Sequence, residues 1–496
     1  MQRILLASAS ALAFLAAVPA LAQDNDSTVT QTGTDAVATV TQSGSAAAST
    51  VTQGGDNNAA TVTQSGNGAE SIVLQDNGTG GGGNASDDNN SATVDQTGDS
   101  YSRVRQYNDN ADAQVTQNGD GNSSDILQTG DNDDAFVDQQ GSDLTSTIAQ
   151  SGNSNDANVS QSGDTNQSGI IQSSGANVAI VTQEGSLNES SILQNGLGLN
   201  TANVEQTGED NDSQITQGGI ANDAGDDATV RSVFQSGDRN SSQISQSGGL
   251  QDAAVRQTGD DNDSQITQGG SLGAAHYADV DQSGNGNGST ISQAGALSDA
   301  LVDQSGNDND STVTQGVLGS HLADVDQSGN DNSSTVTQYG WSQAAYVDQV
   351  GDGNTSSIDQ GTALNGSDQY ASVMQSGDDG LSTIMQRGQS QEAELTQGGV
   401  SNESFIDQSG SDHLAEVTQD GADAPSPRLY NRDLAPTTVE GRSWKAYNIF
   451  TLWAVDVHSL GNYGFALGLF ALGLGAWQIL VSLGIGALVL FVLLTV

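Results

Sequence analysis

Hydrophobic and polar residues alternate in short stretches that recur along residues 24–424, and each stretch ends in a glutamine. There are 34 of these glutamines from Gln31 to Gln419, and 26 of the 33 gaps between successive ones are eleven residues long. Two positions before each glutamine stands Val or Ile, except at Leu395, and four positions before it stands a small residue, with only Arg231 out of step. A period of two places these three side chains on one face of a strand and the intervening polar ones on the other. The pattern predicts short β-strands with one buried face.

The small residue alternates between Ser and Ala in successive strands, beginning with Ser27 and Ala38, so the full repeat is 22 residues and two strands. Gly stands two positions after every glutamine of the Ala-type strands, where it supplies the positive φ of a tight corner. Asn follows three residues later in 11 of these 17 corners. Gaps longer than eleven residues follow only glutamines of Ser-type strands, which predicts that all insertions lie on one looser edge.

These features together predict an all-β fold, a two-sided parallel β-solenoid of about 17 rungs. In-register amides one rung apart can stack and hydrogen-bond to each other. The side chains that we predict to form such ladders are Gln31, Gln42, Gln53, Gln64, Gln206, Gln257, Gln304, Gln327, Asn211, Asn262, Asn309 and Asn332.

The composition of residues 23–424 agrees with a long unbroken ladder. This segment has no Pro, no Cys and no Lys, and its 58 acidic residues face only six Arg. The absence of Cys excludes a disulfide framework, and the negative charge excludes nucleic acid as a partner. Such acidity is also typical of disordered chains. A disordered chain, however, would not keep Val or Ile in register through 33 of 34 units.

The corner and strand residues Gln53, Gly55, Asn58, Ala60 and Gln64 fit the spacing Q-x-G-x-x-N-x-A-x-x-x-Q, which resembles the curlin repeat of curli amyloid subunits. The Ser that precedes the first Gln in that family is not kept here, and Ser takes the Ala position after most of the Asn corners. The resemblance covers residues 24–424. It implies polymerisation with copies of itself, a curli-type outer-membrane secretion channel and a nucleator as partners, and a place at the surface of a Gram-negative bacterium.

The start of the chain has the features of a secretory signal peptide. Arg3 precedes an apolar stretch at 4–18, and Ala20-Leu21-Ala22 follows it. A membrane anchor is the alternative, but the apolar run is shorter than the ~20 residues that a spanning helix needs. We predict a signal peptide at 1–22 and a secreted repeat region at 23–424.

Residues with the chemistry of a catalytic or cofactor site are scarce. The GxGxxG match at residues 78–83 lacks a following helix pattern, so it favours a Gly-rich loop over a nucleotide site. His276, His321 and His413 have no second ligand nearby in sequence and are predicted to face solvent. We expect no enzyme and no cofactor.

Two further binding functions stay open on the sequence. Acidic corners at 260–263 and 307–310 offer oxygen ligands for Ca²⁺, although the nonapeptide calcium repeat is absent. Outward Thr-x-Thr pairs such as Thr312 and Thr314 are like those of ice-binding solenoids, although other residues interrupt the array. A calcium-binding or ice-binding adhesin is therefore an alternative function.

The composition changes at Pro425. We predict a linker at 425–446 and two transmembrane helices within 447–496, from apolar stretches at about 447–470 and 475–496. This segment resembles the start of nucleobase:cation symporter-1 permeases, which implies membrane association and places part of a substrate and Na⁺ site near 454–462. The residues that carry the resemblance are Asn431, Asp433, Pro436, Trp444, Asn448, Trp453 and Trp477.

The sequence as a whole favours a secreted, curli-like structural protein that assembles into extracellular amyloid for adhesion and biofilm matrix, with a permease-like C-terminal fragment. A fused or truncated nucleobase or hydantoin symporter is the competing class. Two helices out of about twelve cannot build the site of an inverted-repeat transporter, which lies between two bundles.

Overall fold

The structure is a computed structural model that describes residues 24–75, 88–224, 233–270, 275–316, 319–362 and 366–421, together with 475–478, 480–481, 484–485 and 488. The chain divides into two compact units, 1–424 and 425–496. The described part of the first unit consists of 35 β-strands in two parallel sheets, A and B.

Sheet A contains the Ser-type strands and sheet B the Ala-type strands. The strands of sheet A are β1 (Asp26–Gln31), β3 (Ala48–Gln53), β5 (Glu70–Gln75), β7 (Tyr101–Gln106), β9 (Ser123–Gln128), β11 (Thr145–Gln150), β13 (Gln167–Gln172), β15 (Glu189–Gln194), β17 (Asp212–Ile220), β20 (Ser241–Gly249), β22 (Asp263–Gly270), β24 (Gly288–Gly295), β26 (Asp310–Gln315), β28 (Ser333–Gln338), β30 (Thr355–Gln360), β32 (Leu381–Gln389) and β34 (Glu403–Ser411). The strands of sheet B are β2 (Val37–Gln42), β4 (Ala59–Gln64), β6 (Ser91–Gln96), β8 (Asp112–Asn118), β10 (Asp134–Ser142), β12 (Asp156–Asp164), β14 (Val178–Ser186), β16 (Thr201–Glu209), β18 (Asp223–Ala224), β19 (Val233–Ser236), β21 (Asp252–Thr258), β23 (Tyr277–Ser283), β25 (Asp299–Asn307), β27 (His321–Asn330), β29 (Gln343–Val350), β31 (Tyr370–Asp378), β33 (Glu392–Val400) and β35 (Leu414–Asp420).

Each strand pairs in parallel with the equivalent strand of the next rung, residue for residue. In sheet A, Val51 lies beside Val73 and Gln53 beside Gln75. The chain alternates between the sheets, so one strand of each sheet makes a rung. The predicted parallel β-solenoid of about 17 rungs is confirmed.

The core lies between the two sheets and is built from the inward-facing small residues, Val and Ile. Inside the stack these side chains are fully buried, as at Ile266 and Val280. Because the side-chain period of a strand is two, the residues between them face outward. A register shift of one residue would expose the whole core, and this fixes the pairing.

We name the two edges of the stack by their corners. The tight edge joins each sheet B strand to the next sheet A strand, and the loose edge joins each sheet A strand to the next sheet B strand. At the tight edge, Gly208 has φ 127°, and a Cβ there would lie 2.0 Å from the carbonyl oxygen of Gly237 on the next rung. Only Gly allows the stacked corners to approach this closely.

The prediction that all insertions lie on the looser edge is wrong for one rung. The small residue of the rung that ends at Gln235 is Ala224 rather than Arg231, because Ala224 pairs with Ala202 while Val233 pairs with Val204. Strands β18 and β19 thus share one rung of sheet B, and residues 225–232, which lie outside the described residues, come between them in the sequence. The gap lengths had suggested that the extra residues after Gln217 belong to the loose edge. They belong instead between these two strands.

The described residues of the second unit are helical at 476–478, 480–481, 484–485 and 488. Across the part of the chain that the structure describes, no helix has both the length and the apolar character needed to cross a membrane. The predicted first helix at 447–470 and most of the second at 475–496 lie outside the described residues.

Candidate functional site: amide ladders and end rungs

A continuous ladder of glutamine amides runs through each sheet on the buried face. Gln206 is typical: its Nε2 lies 2.9 Å from Oε1 of Gln235 on the next rung and 2.9 and 3.1 Å from the backbone oxygens of Glu189 and Asn211. Each amide therefore needs a further rung to satisfy its side-chain hydrogen bond. Of the predicted glutamines, Gln31 and Gln53 lie in the sheet A ladder, and the sheet B ladder contains Gln42, Gln64, Gln206, Gln257, Gln304 and Gln327.

The four predicted asparagines lie in one buried column at the tight edge. Asn211 Nδ2 donates to Oδ1 of Asn188 at 3.0 Å, and Asn262 and Asn309 make the same contact with the Asn of the preceding rung at 3.1 Å. The backbone N–H of Asn332 donates to Oδ1 of Asn309 at 3.0 Å. These contacts satisfy corner groups that would otherwise be buried without partners.

A second buried polar column lies at the loose edge, two residues before each inward Ala, and the sequence analysis missed it. Asn177 Nδ2 donates to Asn155 Oδ1 at 3.1 Å, and Asn200 Nδ2 donates to Asn177 Oδ1 at 3.0 Å. Its members differ in type from rung to rung, so the column has no single-residue signal. The fixed offset from the inward Ala is the signal that could have found it.

Three histidines occupy positions of this column, and the prediction that they face solvent is wrong for two of them. His276 is 1% exposed and His321 is 2% exposed, whereas His413 is exposed as predicted. Nε2 of His276 lies 2.9 Å from the carbonyl oxygen of Gly269, and the backbone N–H of Ser298 points at its Nδ1 at 3.4 Å. One donor and one acceptor suit a neutral ring, and burial lowers the His276 pKa.

Asp133 is a buried carboxylate in the same column. Its Oδ1 accepts hydrogen bonds from the backbone and side-chain N–H groups of Asn155, and its Oδ2 accepts one from the backbone of Gly130. Burial is the dominant influence and raises the pKa of Asp133 to about 6, although the hydrogen bonds act in the opposite direction. The carboxylate therefore titrates near neutral pH.

Four aspartates stack on the outer face of sheet B, in consecutive rungs: Asp281, Asp303, Asp326 and Asp348. Burial, followed by the charges of Asp281 and Asp326, raises the pKa of Asp303. Burial and the neighbouring Asp348 raise the pKa of Asp326. Arg256 lies 3.4 Å from Asp281 and partly neutralises that end of the column. The like charges oppose the stacking of these rungs where the carboxylates are ionised.

The acidic corner at 260–263 is bonded to the tight-edge corner of the preceding rung. Oδ1 of Asp260 accepts the backbone N–H of Asp238 at 2.9 Å, and Asp261 forms an ion pair with Arg239 at 2.7 Å. The hydrogen bond from Arg239 lowers the pKa of Asp261. Within the described ranges, no three His, Asp or Glu side chains converge as a metal-binding group.

The end rungs expose the residues that are buried inside the stack. All of β1 is exposed, with Val29 at 46%, while Val51 in the next rung of sheet A is at 0%. At the other end, the inward residues of β35 are half-buried. The ladder has a direction, because each Nε2 donates to the following rung. The last amides, Gln408 and Gln419, donate only to backbone oxygens among the described residues.

The fold and its stacked amides define a parallel β-solenoid with a 22-residue repeat. The chain contains curlin repeats: the model of the curlin associated repeat matches residues 33–66, 108–141, 130–163, 152–185, 237–270, 319–340 and 388–421. The family resemblance drawn from the repeat residues is thereby confirmed.

The C-terminal segment matches a second family. Residues 436–496 match the model of permeases for cytosine/purines, uracil, thiamine and allantoin. The chain is 41% identical over 66 residues to an allantoin permease of Bacillus subtilis (strain 168), and 42% identical over 60 residues to a putative allantoin permease of Escherichia coli (strain K12). The matches cover 13% and 12% of this chain. They span only 14% and 12% of the lengths of these relatives.

Of the residues that suggested the permease resemblance, Trp477 is described: it is helical and 76% exposed. The others lie outside the described residues, as do 454–462. They are Asn431, Asp433, Pro436, Trp444, Asn448 and Trp453.

Proposed function

We propose that the repeat region is a secreted, curli-like structural protein whose copies stack end to end into extracellular fibres for cell adhesion and biofilm matrix. The observation that carries the proposal is the relation between the two end rungs. At one end β1 is exposed and the inward residues of β2 are half-buried, and at the other end the inward residues of β35 are half-buried. Both ends thus leave partly open the small, Val and Gln columns that the interior rungs bury.

The amide ladders favour a single stacking direction. Nε2 of Gln408 and Gln419 has no further glutamine ahead of it in the described chain, and Gln31 and Gln42 begin the two ladders. A second copy that adds β1 onto β34, and β2 onto β35, supplies an Oε1 acceptor to each waiting donor. It also covers Val29, which is 46% exposed, and burial of that remaining surface contributes roughly 1 kcal/mol.

Edge strands that remain exposed are templates for pairing with another chain, and stacked in-register strands give the stability of cross-β fibres. The family resemblance adds a curli-type secretion channel and a nucleator as proposed partners. It also gives the surface of a Gram-negative bacterium as the proposed location. We propose no catalytic function and no cofactor.

The stacking is tested by blocking the two ends separately in the full-length chain. Val29→Asp places a charge on one end face and Val417→Asp places one on the other. Each variant alone should fail to form fibres, and an equimolar mixture should form particles of two copies, because one intact face of each kind remains. Fibre growth by either variant alone would contradict end-to-end stacking. Thr61→Asp, on the outer face of β4 between Thr39 and Thr93 and away from the end face, is the control that should still grow.

We further propose that residues 425–496 are a permease-derived segment that associates with the membrane through two helices and does not transport by itself. The match at 436–496 supports the origin, and the small fraction of a permease that it represents supports the lack of transport. Uptake of labelled allantoin by membranes containing the chain should equal the background. Uptake above background would instead favour a fused or truncated symporter.

The basic residues Arg428, Arg432, Arg442 and Lys445 favour a cytoplasmic location for the start of the first predicted helix, whereas the signal peptide directs the repeats outward. We therefore propose that the segment is dispensable for the repeats. Truncation after Gly421 should leave folding and secretion of the repeats intact, and loss of the folded repeat region would contradict this.

A further inference from the structure

The loose edge of the solenoid carries a long stretch without charge in a highly acidic chain. Nine consecutive loose-edge corners, from residue 151 to residue 343, contain no Asp, Glu, Lys or Arg. At the tight edge, every corner from residue 162 to residue 332 contains Asp or Glu, with the single exception of 283–287. The two edges of the same rungs therefore differ sharply in charge.

The tips of six consecutive loose-edge corners alternate between a small and a large apolar residue. Backbone hydrogen bonds stack the first four tips: Leu199 N–H donates to Gly175 O, Ala221 N–H to Gly198 O, and Leu250 N–H to Ile220 O. We call these tips the Ala/Leu comb, and its members in order are Ala176, Leu199, Ala221, Leu250, Ala275 and Leu297.

The leucines of the comb are both exposed and conformationally unfavourable. Leu199, Leu250 and Leu297 are 59%, 57% and 58% exposed. Their φ angles are 59°, 60° and 58°, in the left-handed region, where Gly, Asn and Asp are tolerated far better than a bulky residue. Neither burial inside the subunit nor backbone preference explains leucine at these three corners.

We infer that the Ala/Leu comb is a lateral contact surface for a second copy of this chain, in which two solenoids pair antiparallel along their loose edges. Alternation of large and small tips is self-complementary under a two-fold axis between Ala221 and Leu250. In this antiparallel arrangement, the comb of one copy places Ala176 opposite Leu297, Leu199 opposite Ala275, and Ala221 opposite Leu250 of the second copy. Each leucine of the comb then lies opposite an alanine of the other comb.

The difference in charge between the two edges favours a second copy of this chain as the partner of the comb. Another copy is as acidic as the first, and approach through the tight edges would place carboxylates against carboxylates. The loose-edge corners carry no charge of their own, and among the described residues only Asp223, Asp252 and Asp299 lie beside the comb, at the starts of sheet B strands. Approach along this edge therefore meets less repulsion and leaves the acidic corners pointing away from each other. This contact is separate from end-to-end stacking and does not depend on it.

Cysteine cross-linking distinguishes lateral from axial contact, because the chain has no native Cys. In the full-length chain, Leu250→Cys should give a covalent dimer with a bis-maleimide that spans about 10 Å, the spacing of packed β-surfaces. Axially stacked copies cannot produce it, since their equivalent residues are 17 rungs apart, roughly 80 Å at 4.7 to 4.8 Å per rung.

Leu187 provides a matched control at the tight edge. It is also a left-handed, exposed leucine, with φ 59° and 48% exposure. Leu187→Cys should give at least tenfold less dimer than Leu250→Cys. Equal yields at the two edges, or no dimer from Leu250→Cys, would overturn the inference.

A second variant tests the comb itself. Leu199→Asn and Leu297→Asn, added to Leu250→Cys, should preserve the fold because Asn suits the left-handed conformation, which circular dichroism verifies. The dimer should decrease at least tenfold. An undiminished dimer in a folded variant would show that the comb is not the contact.

Discussion

Asn155 donates both its backbone N–H, at 3.0 Å, and its side-chain Nδ2, at 3.1 Å, to a single oxygen of the buried Asp133 carboxylate. The equivalent residue in the preceding rung is Ala111, which offers no side-chain acceptor. A side chain at position 133 therefore has to accept more hydrogen bonds than it donates. This explains how Asp is accommodated in a column of asparagines, at the expense of burying a charge.

The first prediction concerns the pH dependence of that site. The pKa of Asp133 in the fold, about 6, is above the value of about 3.9 in the unfolded chain. The folded state thus binds the proton more tightly, and its stability from this group is greatest below pH 4 and is lost as pH rises through 6. Asp133→Asn should raise the free energy of unfolding at pH 8 by roughly 2 to 3 kcal/mol.

Urea denaturation of the full-length chain and the variant between pH 4 and pH 8 measures this difference. The two proteins should differ most at high pH and least at low pH. Parallel pH profiles would show that Asp133 is not the group that titrates.

The second prediction concerns the stacked aspartates of sheet B. Asp303 lies between Asp281 and Asp326, with Asp279 and Asp324 also near, and its pKa is raised by burial and by these charges. A raised carboxyl pKa favours the folded, stacked state at low pH, and this contribution is lost as pH rises through the raised value. Because a copy has to form these stacked rungs before it can add to a fibre end, we expect fibres to grow several-fold faster at mildly acidic pH, or with added salt, than at neutral pH in low salt.

Thioflavin-type fluorescence against time checks this across pH 4 to 8 and across salt concentration. Asp303→Asn should speed fibre growth at neutral pH, because it removes one charge from the stacked column on the outer face of sheet B. Growth that is fastest at neutral pH and slowed by salt would contradict the role of this face.

The third prediction separates the inner and outer faces of a single strand. Ile266 is fully buried, and its neighbour Thr267 is exposed on the other face. Ile266→Asp buries an unpaired carboxylate and should lower the free energy of unfolding by about 4 kcal/mol or more. Thr267→Asp should change it by less than about 1 kcal/mol. Equal effects in urea denaturation would mean that the assignment of faces is wrong.

The fourth prediction follows from the interrupted strand. Ala224 and Val233 flank a position equivalent to Asn203, so a single residue is enough to join β18 and β19. Deletion of residues 225–231 leaves Ser232 at that position and restores the eleven-residue spacing. The thermal midpoint should stay equal or rise, because the interruption no longer has to be closed. A fall of more than a few degrees would show that the inserted residues support the rung.

The sequence was sufficient for the parts of the fold that repeat in residue type. Val or Ile and Gln recur at fixed offsets because each must fit a close-packed interior between identical neighbours, so their period determines strand, face and register. The loose-edge column repeats in position but not in residue type, since Asn, Asp, Gln, Ser and His can each bond a corner. For this reason residue type did not indicate the burial of His276 and His321, and only their offset of two from Ala278 and Ala323 does.

The split rung was hidden for a different reason. Gap length counts residues between glutamines and does not say where the extra ones lie. Ala224 had the right type for the inward position, but it stands eleven residues before Gln235 rather than four. Only the pairing of Ala224 with Ala202 locates the interruption.

Electron cryo-microscopy of fibres grown from the full-length chain tests end-to-end stacking most directly. We expect rungs spaced 4.7 to 4.8 Å along the fibre axis without a break between copies, and a copy-to-copy repeat of 17 rungs, roughly 80 Å. Gln408 and Gln419 of one copy should contact Gln31 and Gln42 of the next. Fibres whose copies meet through any other surfaces, or a chain that remains as separate solenoids at pH 5, where growth should be fast, would contradict end-to-end stacking.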